Sequence, residues 1–451
     1  MHKMRLLALL LLWASTLTGM ARQRWHDVAI PASVTHVQPM TGLVLWPQQA
    51  KALHAQYGQA IQLEFAYCLP CRVVTGCQAD GTLLYDWTWL ERIMDDVASR
   101  GHQLIVRFRY EYPSSRDVDG QVKGMTAVPD YIRRQADYHE TYNDVPGDGP
   151  TYYADWSNAE LQRFTLQFYT DFAQRYAHDP RLAFLEVGFG HWSEYHIYGT
   201  PLELGRNFPS KDFQRQFFLH MEQVMGDIPW AASIDCGEER YSPIPTDEAL
   251  NALHFGLFDD SFMHEGHEVG THGGYNERLW RLTDRGHRWQ YGVCGGEISY
   301  YKRTDQTDFL NPQGMHGHTW EEQSSKYHLS FMIANDAPRG TYGTAERFRQ
   351  AGMAIGYHLR VTSCQTDGRQ THLTVTNTGC APLYRDAYFA IGDQRSPHTL
   401  RGLLPGESRT IQIPAPLPTD RHGNARITPT IVSDHILPTQ RIEYEFLMPP
   451  S

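Results

Sequence analysis

The stretch that decides the fold is LEVGFGHWSEYH, residues 185–196. It begins with apolar residues at every second position, as a buried β-strand does, and it ends at Glu194 among aromatic rings. A second stretch, WQYGVCGGE at residues 289–297, also ends in a glutamate that follows glycines. These stretches predict two strands whose C-terminal ends carry functional carboxyl groups, with glycines that leave room for a ligand.

Short apolar runs alternate with helical segments along most of the chain. Eight such alternations over this length are typical of a (β/α)8 TIM barrel. The predicted strands span residues 42–46, 61–67, 103–110, 182–190, 230–235, 254–259, 289–297 and 328–335. The predicted fold class is therefore α/β, with a (β/α)8 TIM barrel over residues 22–355.

Two capping boxes indicate where helices begin. Ser157 is followed by Glu160, which predicts a helix from this point to about Tyr176. Thr319 and Glu322 repeat the pattern before the eighth strand. These signals support the alternation of strands and helices.

Charged residues alternate with apolar ones in the second, third and fourth predicted strands. Successive side chains of a strand face opposite sides, so the pattern places Glu64, Arg107, Arg109 and Glu186 inside the barrel. Buried charges are costly unless they are paired. We therefore expect these four residues to form one ion-pair network.

The pattern changes to short alternating strands after residue 355. Strands are predicted at residues 359–362, 371–377, 387–391, 409–413 and 441–446, with turn-rich segments between them. Residues 356–451 therefore predict a small C-terminal all-β immunoglobulin-like sandwich.

The chain contains 7 cysteines. Cys364 and Cys380 flank a predicted hairpin and are candidates for a disulfide. In the cluster of Cys68, Cys71 and Cys77 a disulfide pair is favoured over a metal site, because no fourth ligand lies at zinc-ribbon spacing. The pairing of the two remaining cysteines is left open.

The N-terminus has the composition of a secretory signal peptide over residues 1–21, with a basic start, a short apolar run and small residues before the cleavage point. We therefore expect a secreted or periplasmic protein. No later segment reaches the roughly 18 consecutive apolar residues of a membrane helix, so no membrane span is predicted. The net charge of −11 argues against a nucleic-acid partner, whose phosphates need a basic face. The sequence does not predict an oligomeric state.

Two glutamates at strand ends fit the cleavage of a glycosidic bond. Retaining cleavage needs a protonated acid and an ionised carboxylate about 5–5.5 Å apart, and the fourth and seventh strands end on opposite sides of a barrel mouth. We assign Glu194 as the acid/base, with its pKa raised by Trp192 and by the negative charge of its partner, and Glu297 as the nucleophile. The alternative for either residue is an ordinary loop glutamate.

Further side chains near strand ends are candidates for binding a carbohydrate substrate. The two arginines would hold the nucleophile ionised or bind a substrate group, with a purely structural network as the alternative. The aspartates would bind sugar hydroxyls or cap loops, and the aromatic rings would stack on sugars. The predicted substrate-binding residues are Trp46, Arg107, Arg109, Trp192, His196, Asp235, Asp259 and Tyr300, with Asp260 next to them.

The chain has 23 histidines, and a metal site is one interpretation of those at His264, His267, His272, His316 and His318. This group lacks a metal-binding helix motif and includes a Gly-rich loop, which favours a solvated or substrate-lining loop. Motifs for serine-hydrolase, phosphoryl and hydride chemistry are missing from the sequence. We predict neither a cofactor nor a metal.

Three runs resemble a known group of proteins: YADWSNAEL at 153–161, RYAHDPR at 175–181 and GHWSEYH at 190–196. The chain resembles secreted bacterial (β/α)8 barrel proteins of unknown function, related to the β-galactosidase-like branch of glycoside hydrolase clan A. The resemblance implies the same roles for Glu194 and Glu297. Ser193 departs from the group, whose usual form is Gly-x-Trp-Gly-Glu-x-His, and from the clan, whose Asn at this place binds the sugar 2-hydroxyl.

The leading hypothesis is therefore a secreted glycoside hydrolase that cleaves a poly- or oligosaccharide with two glutamates. The main alternative is a non-catalytic glycan-binding protein on a barrel scaffold, which the serine at position 193 motivates. A third interpretation, a metal-dependent deacetylase or lyase, rests on the histidines.

Overall fold

The computed structural model describes residues 25–113, 126–145, 148–266 and 274–447. The predicted signal peptide, His267 and His272 lie outside the described residues. No described helix is both long enough and apolar enough to cross a membrane.

The strands, numbered in chain order, are β1 His26–Asp27, β2 Gly42–Leu45, β3 Leu63–Cys68, β4 Val74–Cys77, β5 Leu83–Tyr85, β6 Gln103–Phe108, β7 Thr141–Val145, β8 Gly149–Tyr153, β9 Leu182–Val187, β10 Trp230–Ser233, β11 Gly256–Phe262, β12 Cys294–Ile298, β13 Phe331–Ile333, β14 Leu359–Thr366, β15 Thr371–Asn377, β16 Tyr388–Ile391, β17 Gln394–Arg395, β18 Ser408–Ile413, β19 Thr430–Val432 and β20 Tyr444–Phe446.

The α-helices are α1 Pro47–Ala52, α2 His54–Tyr57, α3 Pro70–Val73, α4 Thr88–Ala98, α5 Asp130–Arg133, α6 Ala159–Tyr176, α7 Lys211–Val224, α8 Glu248–Asn251, α9 Tyr275–Asp284, α10 Arg303–Asp308, α11 Trp320–Lys326 and α12 Ala345–Met353. Short 3-10 turns lie at His191–Ser193, Ile234–Gly237, Arg288–Gln290 and Ala337–Arg339.

Eight parallel strands close into a barrel. Around the barrel they follow the order β2, β3, β6, β9, β10, β11, β12, β13 and back to β2. Each of the eight strand predictions overlaps one of these strands, and the predicted TIM barrel is confirmed. Most residues of the barrel strands are buried, as they are in a parallel sheet that helices cover on one side and the barrel interior covers on the other.

The charged face of the second barrel strand was predicted wrongly. Glu64 was expected inside the barrel, but it pairs in register with Leu104, which packs toward the helices. Its carboxylate accepts hydrogen bonds from Arg100 at 2.7 and 2.8 Å and lies 2.7 Å from His102. The apolar side chains of this strand, including Phe65, point inward instead. Arg100 and His102, on the helix side of the strand, pair with the Glu64 carboxylate. The alternation of apolar and charged residues alone therefore did not reveal which way the Glu64 side chain points.

One of the two capping predictions is confirmed. Thr319 and Glu322 form a reciprocal capping box at the start of α11. At α6 the N-cap is Asn158, whose side chain accepts from the backbone N–H of Leu161, whereas the Ser157 hydroxyl donates to Asp155. Asn and Ser are about equally favoured at the N-cap, so residue type alone does not show which of Ser157 and Asn158 caps the helix.

Two further sheets lie at the N-terminal end of the barrel. One contains β1, β14, β15 and β18 in antiparallel pairs, with β20 parallel to β14, and the other contains β17, β16 and β19 in antiparallel pairs. Arg385 donates to the backbone at Leu182, the first residue of β9, and Gln103 at the start of β6 donates to the carbonyl of His435. The sheets therefore close one end of the barrel and leave the other end open. The predicted division of the chain at residue 355 stays a prediction.

The cysteine predictions are wrong for the described structure, in which all seven cysteines are free. Cys364 pairs in register with Leu373 near the turn of the β14–β15 hairpin, whereas Cys380 follows β15 at the opposite end. The Sγ atom of Cys380 donates to the carbonyl of Leu329 in the barrel. The expected disulfide fails because the hairpin holds its two cysteines at opposite ends.

Candidate active site

A tight loop follows β9 and brings Glu194 to the open end of the barrel. The strand ends at Val187, and the backbone then turns back on itself. Trp192 and Ser193 both have positive φ, at 56° and 58°, a conformation that side chains other than glycine rarely adopt. The Ser193 hydroxyl donates to the carbonyl of Phe108 at 2.6 Å, and its backbone N–H donates to Glu111. Ser193 therefore anchors this loop to β6 and is buried away from the open end.

The glycines of this loop make room for backbone, where a ligand was expected. A Cβ on Gly188 would lie 1.7 Å from the carbonyl oxygen of Ser193, and one on Gly190 would lie 2.1 Å from that of His196. On β12, a Cβ on Gly296 would lie 2.0 Å from the carbonyl oxygen of Asp259. The glycines thus permit the close packing that fixes the glutamates in place.

A cavity of about 640 Å³ opens at the C-terminal ends of the barrel strands. This is the end at which TIM barrels carry their functional loops. It is lined by Trp46, Tyr67, Asp148, Trp192, Glu194, His196, Tyr198, Ser233, Ile234, Asp235, Asp259, Asp260, Ser261, Tyr275, Asn276, Glu297, Tyr300 and Tyr301. Eight of the ten predicted site residues therefore share one cavity, and the exceptions are the two arginines.

Arg107 lies beneath the cavity and is fully buried. Its guanidinium donates to Asp260 at 2.5 and 3.1 Å and to Glu186 at 2.7 Å, and it also donates to the carbonyl of Trp192. Its distance to the Glu194 carboxyl is 3.9 Å. These contacts support the structural alternative for Arg107 and do not support direct contact with a substrate.

Arg109 forms a separate pair. It donates to both oxygens of Glu111, at 2.6 and 3.1 Å, and its guanidinium lies 4.1 Å from the ring centre of Trp192. The predicted single network of four charged residues is therefore wrong. Arg107 does pair with Glu186, but Glu64 and Arg109 each belong to a separate cluster, with Arg100 and His102 and with Glu111 respectively.

Glu194 is held in a setting that favours its protonated form. Burial raises the pKa of its carboxyl well above the usual value of 4.5, and the negative charges of Asp260 and Asp235 add to the rise. A hydrogen bond with Asp260 acts in the same direction, whereas Arg107 opposes it. The pKa was expected to be raised by Glu297, but Asp260 is the stronger neighbour.

Glu297 lies on β12 and is 7% exposed. Burial raises its pKa well above 4.5, with Asp260 adding to the effect. The positive charge of Arg107 and a hydrogen bond with Tyr300 lower it. Within the described residues its Oε1 atom has no hydrogen-bond partner.

His196 connects Glu194 with the end of the fifth barrel strand. Its Nδ1 atom lies 2.7 Å from Asp235 Oδ2 and 3.5 Å from Glu194 Oε2. One ligand atom from each of these three side chains lies within 4.8 Å of the others, so the group has the donor types and spacing for a metal ion. The histidines singled out in the sequence lie elsewhere, with His264 and His316 next to Asp305.

Asp259 and Trp46 occupy fixed positions on the cavity wall. Asp259 Oδ1 accepts hydrogen bonds from the backbone N–H of Ser261 and the side chain of Asn276, at 2.9 and 3.0 Å. Trp46 packs edge-on to Tyr67, with ring centres 6.1 Å apart. Trp46 directly follows β2, whereas Asp259 lies within β11, which continues to Phe262 beyond the predicted end at residue 259.

Several residues that line the cavity were not predicted from the sequence. Tyr67 belongs to β3, where the inward face was misassigned, and Tyr301 directly follows the predicted Tyr300. The others lie in loops or at the ends of strands and helices, where a short periodic pattern does not indicate direction. They are Asp148, Tyr198, Ser233, Ile234, Ser261, Tyr275 and Asn276.

No protein-family model matches the chain, and no curated protein matches it in sequence. Among solved structures, the catalytic domain of a β-amylase from Paenibacillus polymyxa is 11% identical, covering 70% of this chain and 99% of that chain, with a TM-score of 0.43. Endo-glycoceramidase II from Rhodococcus sp. is 9% identical, covering 87% and 97%, with a TM-score of 0.41. A morphinone reductase in complex with tetrahydroNAD is 12% identical, covering 72% and 87%, with a TM-score of 0.34.

Proposed function

We propose that this protein is a glycoside hydrolase in which Glu194 is the acid/base and Glu297 is the nucleophile. The observation that carries the proposal is the position of both carboxyl groups in one cavity, on the loop after β9 and on β12. Two carboxyl groups beside aromatic rings are what cleavage of a glycosidic bond requires. We also propose that the protein is secreted, on the basis of its N-terminal sequence.

Glu194 would act first as the acid. Its raised pKa keeps the proton on the carboxyl near neutral pH, and it gives this proton to the glycosidic oxygen as the bond breaks. Glu297 attacks the anomeric carbon in its ionised form and binds the sugar covalently. Glu194, now ionised, then takes a proton from water, whose oxygen displaces Glu297 and restores both groups.

Two neighbours would position these groups. Asp260, held by Arg107, keeps the proton on Glu194 through its charge and its hydrogen bond. Tyr300 forms a hydrogen bond with Glu297 that favours the ionised carboxylate. Trp46, Tyr67 and Trp192 offer rings on which sugars stack.

One observation favours the alternative, a glycan-binding protein without turnover. Arg107 gives its hydrogen bonds to Asp260 and Glu186, and the pKa of Glu297 is raised by burial. A protonated Glu297 would not attack the sugar. This alternative predicts saturable binding of a glycan with no product over long incubation.

The test is a screen of glycans and of aryl glycosides with wild-type protein and the variants Glu194→Gln and Glu297→Gln. Loss of Glu194 should abolish cleavage of natural glycans but spare the first step with a dinitrophenol leaving group, which needs no proton. Azide should then speed product release, because it attacks without a base. Loss of Glu297 should abolish both the cleavage of natural glycans and the release of dinitrophenol. Glu222→Gln, on α7 and paired with His254, is the control and should behave as wild type.

Full cleavage by both glutamine variants would exclude the proposed roles. Binding by wild type of a glycan that it never cleaves would support the alternative.

A further inference from the structure

The charged side chains on the wall of the cavity are mainly carboxyl groups. Its lining includes six acidic residues and, among the described residues, neither a lysine nor an arginine. The six are Asp148, Glu194, Asp235, Asp259, Asp260 and Glu297. Such a wall repels sugars that carry carboxylate or sulfate groups and attracts cations.

The basic groups near this wall are shared among several acids. Arg107 divides its hydrogen bonds between Asp260 and the buried Glu186, and His196 lies against both Asp235 and Glu194. The acidic groups of the wall therefore exceed the basic groups that face them in the described structure.

A buried acceptor also faces the cavity. The side chain of Glu297 is more than nine-tenths buried, and its Oε1 atom has no hydrogen-bond partner among residues 25–113, 126–145, 148–266 and 274–447. Buried polar atoms are normally hydrogen-bonded, so this oxygen is suited to a donor on a ligand.

Aromatic rings surround the acids on the side of Asp235. Tyr198, Tyr275 and Tyr301 line the cavity there, and the ring centres of Tyr198 and His196 lie 4.5 Å apart. Burial is the largest cause of the raised pKa of Tyr198, and the charges of Glu194 and Asp235 contribute to it. These two carboxyl groups therefore interact electrostatically with the side chain of Tyr198. The faces of aromatic rings attract organic cations such as ammonium groups.

We infer that the cavity selects a sugar that carries a free ammonium group, namely an amino sugar without an N-acetyl group. The inference rests on the proposed function and names its substrate class. The ammonium donates up to three hydrogen bonds, to carboxylates of the wall, while the rings pack against the sugar.

A divalent metal is the main competitor for the same place. The carboxylate of Asp235 accepts in the 2.7 Å contact, so the hydrogen lies on Nδ1 of His196. Nε2 of His196 then carries no hydrogen, and it has no hydrogen-bond partner among the described residues. This nitrogen can accept from an ammonium group or bind a metal ion, and a metal titration distinguishes the two occupants.

The experiment measures binding of matched sugars by titration calorimetry. The probes are pentamers of β-1,4-linked glucosamine, N-acetylglucosamine and glucose, which differ only at carbon 2, and the free sugars galactosamine, N-acetylgalactosamine and galactose. The amine of at least one matched set should bind about tenfold or more tightly than its two partners, and added salt should weaken it. Asp235→Asn should remove most of this preference, and Glu222→Gln should retain it.

Equal or tighter binding of the neutral and acetylated sugars, or no binding of either amine, would overturn the inference. A second arm titrates zinc, manganese and calcium chlorides alone into metal-free protein. One outcome is binding of one of these ions that Asp235→Asn abolishes and that the double variant Tyr198→Ala, Tyr301→Ala leaves intact. That result would identify a metal site and would also overturn the inference.

The inference and the proposed function fail in different ways. Tight binding of an amino sugar without cleavage of any amino-sugar polymer supports the inference and removes the hydrolase proposal. Cleavage of neutral glycans with no preference for the amine removes the inference and leaves the hydrolase proposal standing.

Discussion

The guanidinium of Arg107 donates to both oxygens of Asp260, at 2.5 and 3.1 Å, directly beneath the cavity that holds Glu194 and Glu297. Asp260 is in turn the strongest charged neighbour that raises the pKa of both glutamates. The pair therefore links a fully buried cation to the two groups proposed for catalysis. It also fixes the position of Asp260 on β11.

Replacing Arg107 by methionine should destabilise the protein. The change leaves Glu186 and Asp260 in a buried setting without their cation, and such losses cost about 3–5 kcal/mol. Urea unfolding followed by tryptophan fluorescence measures the difference. The control Arg134→Met removes an exposed pair with Asp130 and should cost at most about 1 kcal/mol. Equal effects of the two substitutions would contradict the assigned role of Arg107.

The stability contributed by three glutamates with raised pKa, Glu186, Glu194 and Glu297, should fall as pH rises from 5 to 8. Burial raises the pKa of Glu186 from 4.5 to about 7, and it raises those of Glu194 and Glu297 as well. Because the folded pKa lies above the unfolded one, the folded state binds more protons in this range. Its contribution to stability is present below pH 4.5 and is lost as pH rises through the folded pKa.

Glu186→Gln should flatten that pH dependence, since glutamine does not titrate. The free energy of unfolding, measured in urea at several pH values, gives the slope. Glu346→Gln is the matched control, because the pKa of Glu346 is lowered by hydrogen bonds from Arg349 and the residue titrates below this range. A slope that Glu186→Gln leaves unchanged would count against the buried, protonated state of Glu186.

Gly188→Ala should disrupt the loop that carries Glu194. The new Cβ would lie 1.7 Å from the carbonyl oxygen of Ser193, so backbone must move. We expect a loss of at least about 1–3 kcal/mol in stability, together with loss of ligand binding. Gly76→Ala is the control, because its nearest contact is the side chain of Leu84 at an ordinary 3.7 Å. If the Gly188→Ala protein were as stable as wild type, the close approach of Gly188 to the carbonyl oxygen of Ser193 would be refuted.

The denatured protein should release seven reactive thiols without any reductant. All seven cysteines are free in the described structure. In the native protein most should react slowly, because burial raises the pKa of thiols such as Cys236, to about 12, and Cys380, to about 11. Titration with a thiol reagent, before and after denaturation, measures both quantities. A count of five or fewer in the denatured protein would reveal a disulfide.

The barrel was predictable because its signal is repeated. Eight apolar runs at regular intervals specify the architecture even when the end of a single strand is misjudged, as at β9, which stops at Val187. The direction of Glu64 was not predictable, since its partners Arg100 and His102 lie on the helix side and become neighbours only after folding. The alternation of residues divides a strand into two faces. It does not show which face lies next to oppositely charged residues after folding.

Most of the predicted site residues share the cavity because parallel strands deliver their C-terminal ends to one place. The sequence left a substrate contact and a structural network as alternatives for the two arginines, since it does not reveal that Asp260 and Glu111 accept their hydrogen bonds. Tyr198, in a loop, and Tyr275, at the start of α9, were missed for a related reason. Their positions depend on how the segments between the strands pack, and no periodic pattern in the sequence indicates that packing.

The most direct test of the central claim is to locate the sugar on the enzyme during turnover. Glu194→Gln protein is mixed with a dinitrophenyl glycoside of the preferred sugar, acid-quenched, and digested with trypsin for mass spectrometry. Without its base the variant should accumulate the covalent intermediate. Trypsin separates residues 289–302, which contain Glu297, from residues 241–278, which contain Asp260. The two-glutamate mechanism predicts one added sugar on Glu297. Release of dinitrophenol with no sugar on that peptide, or with the sugar on Asp260, would contradict it.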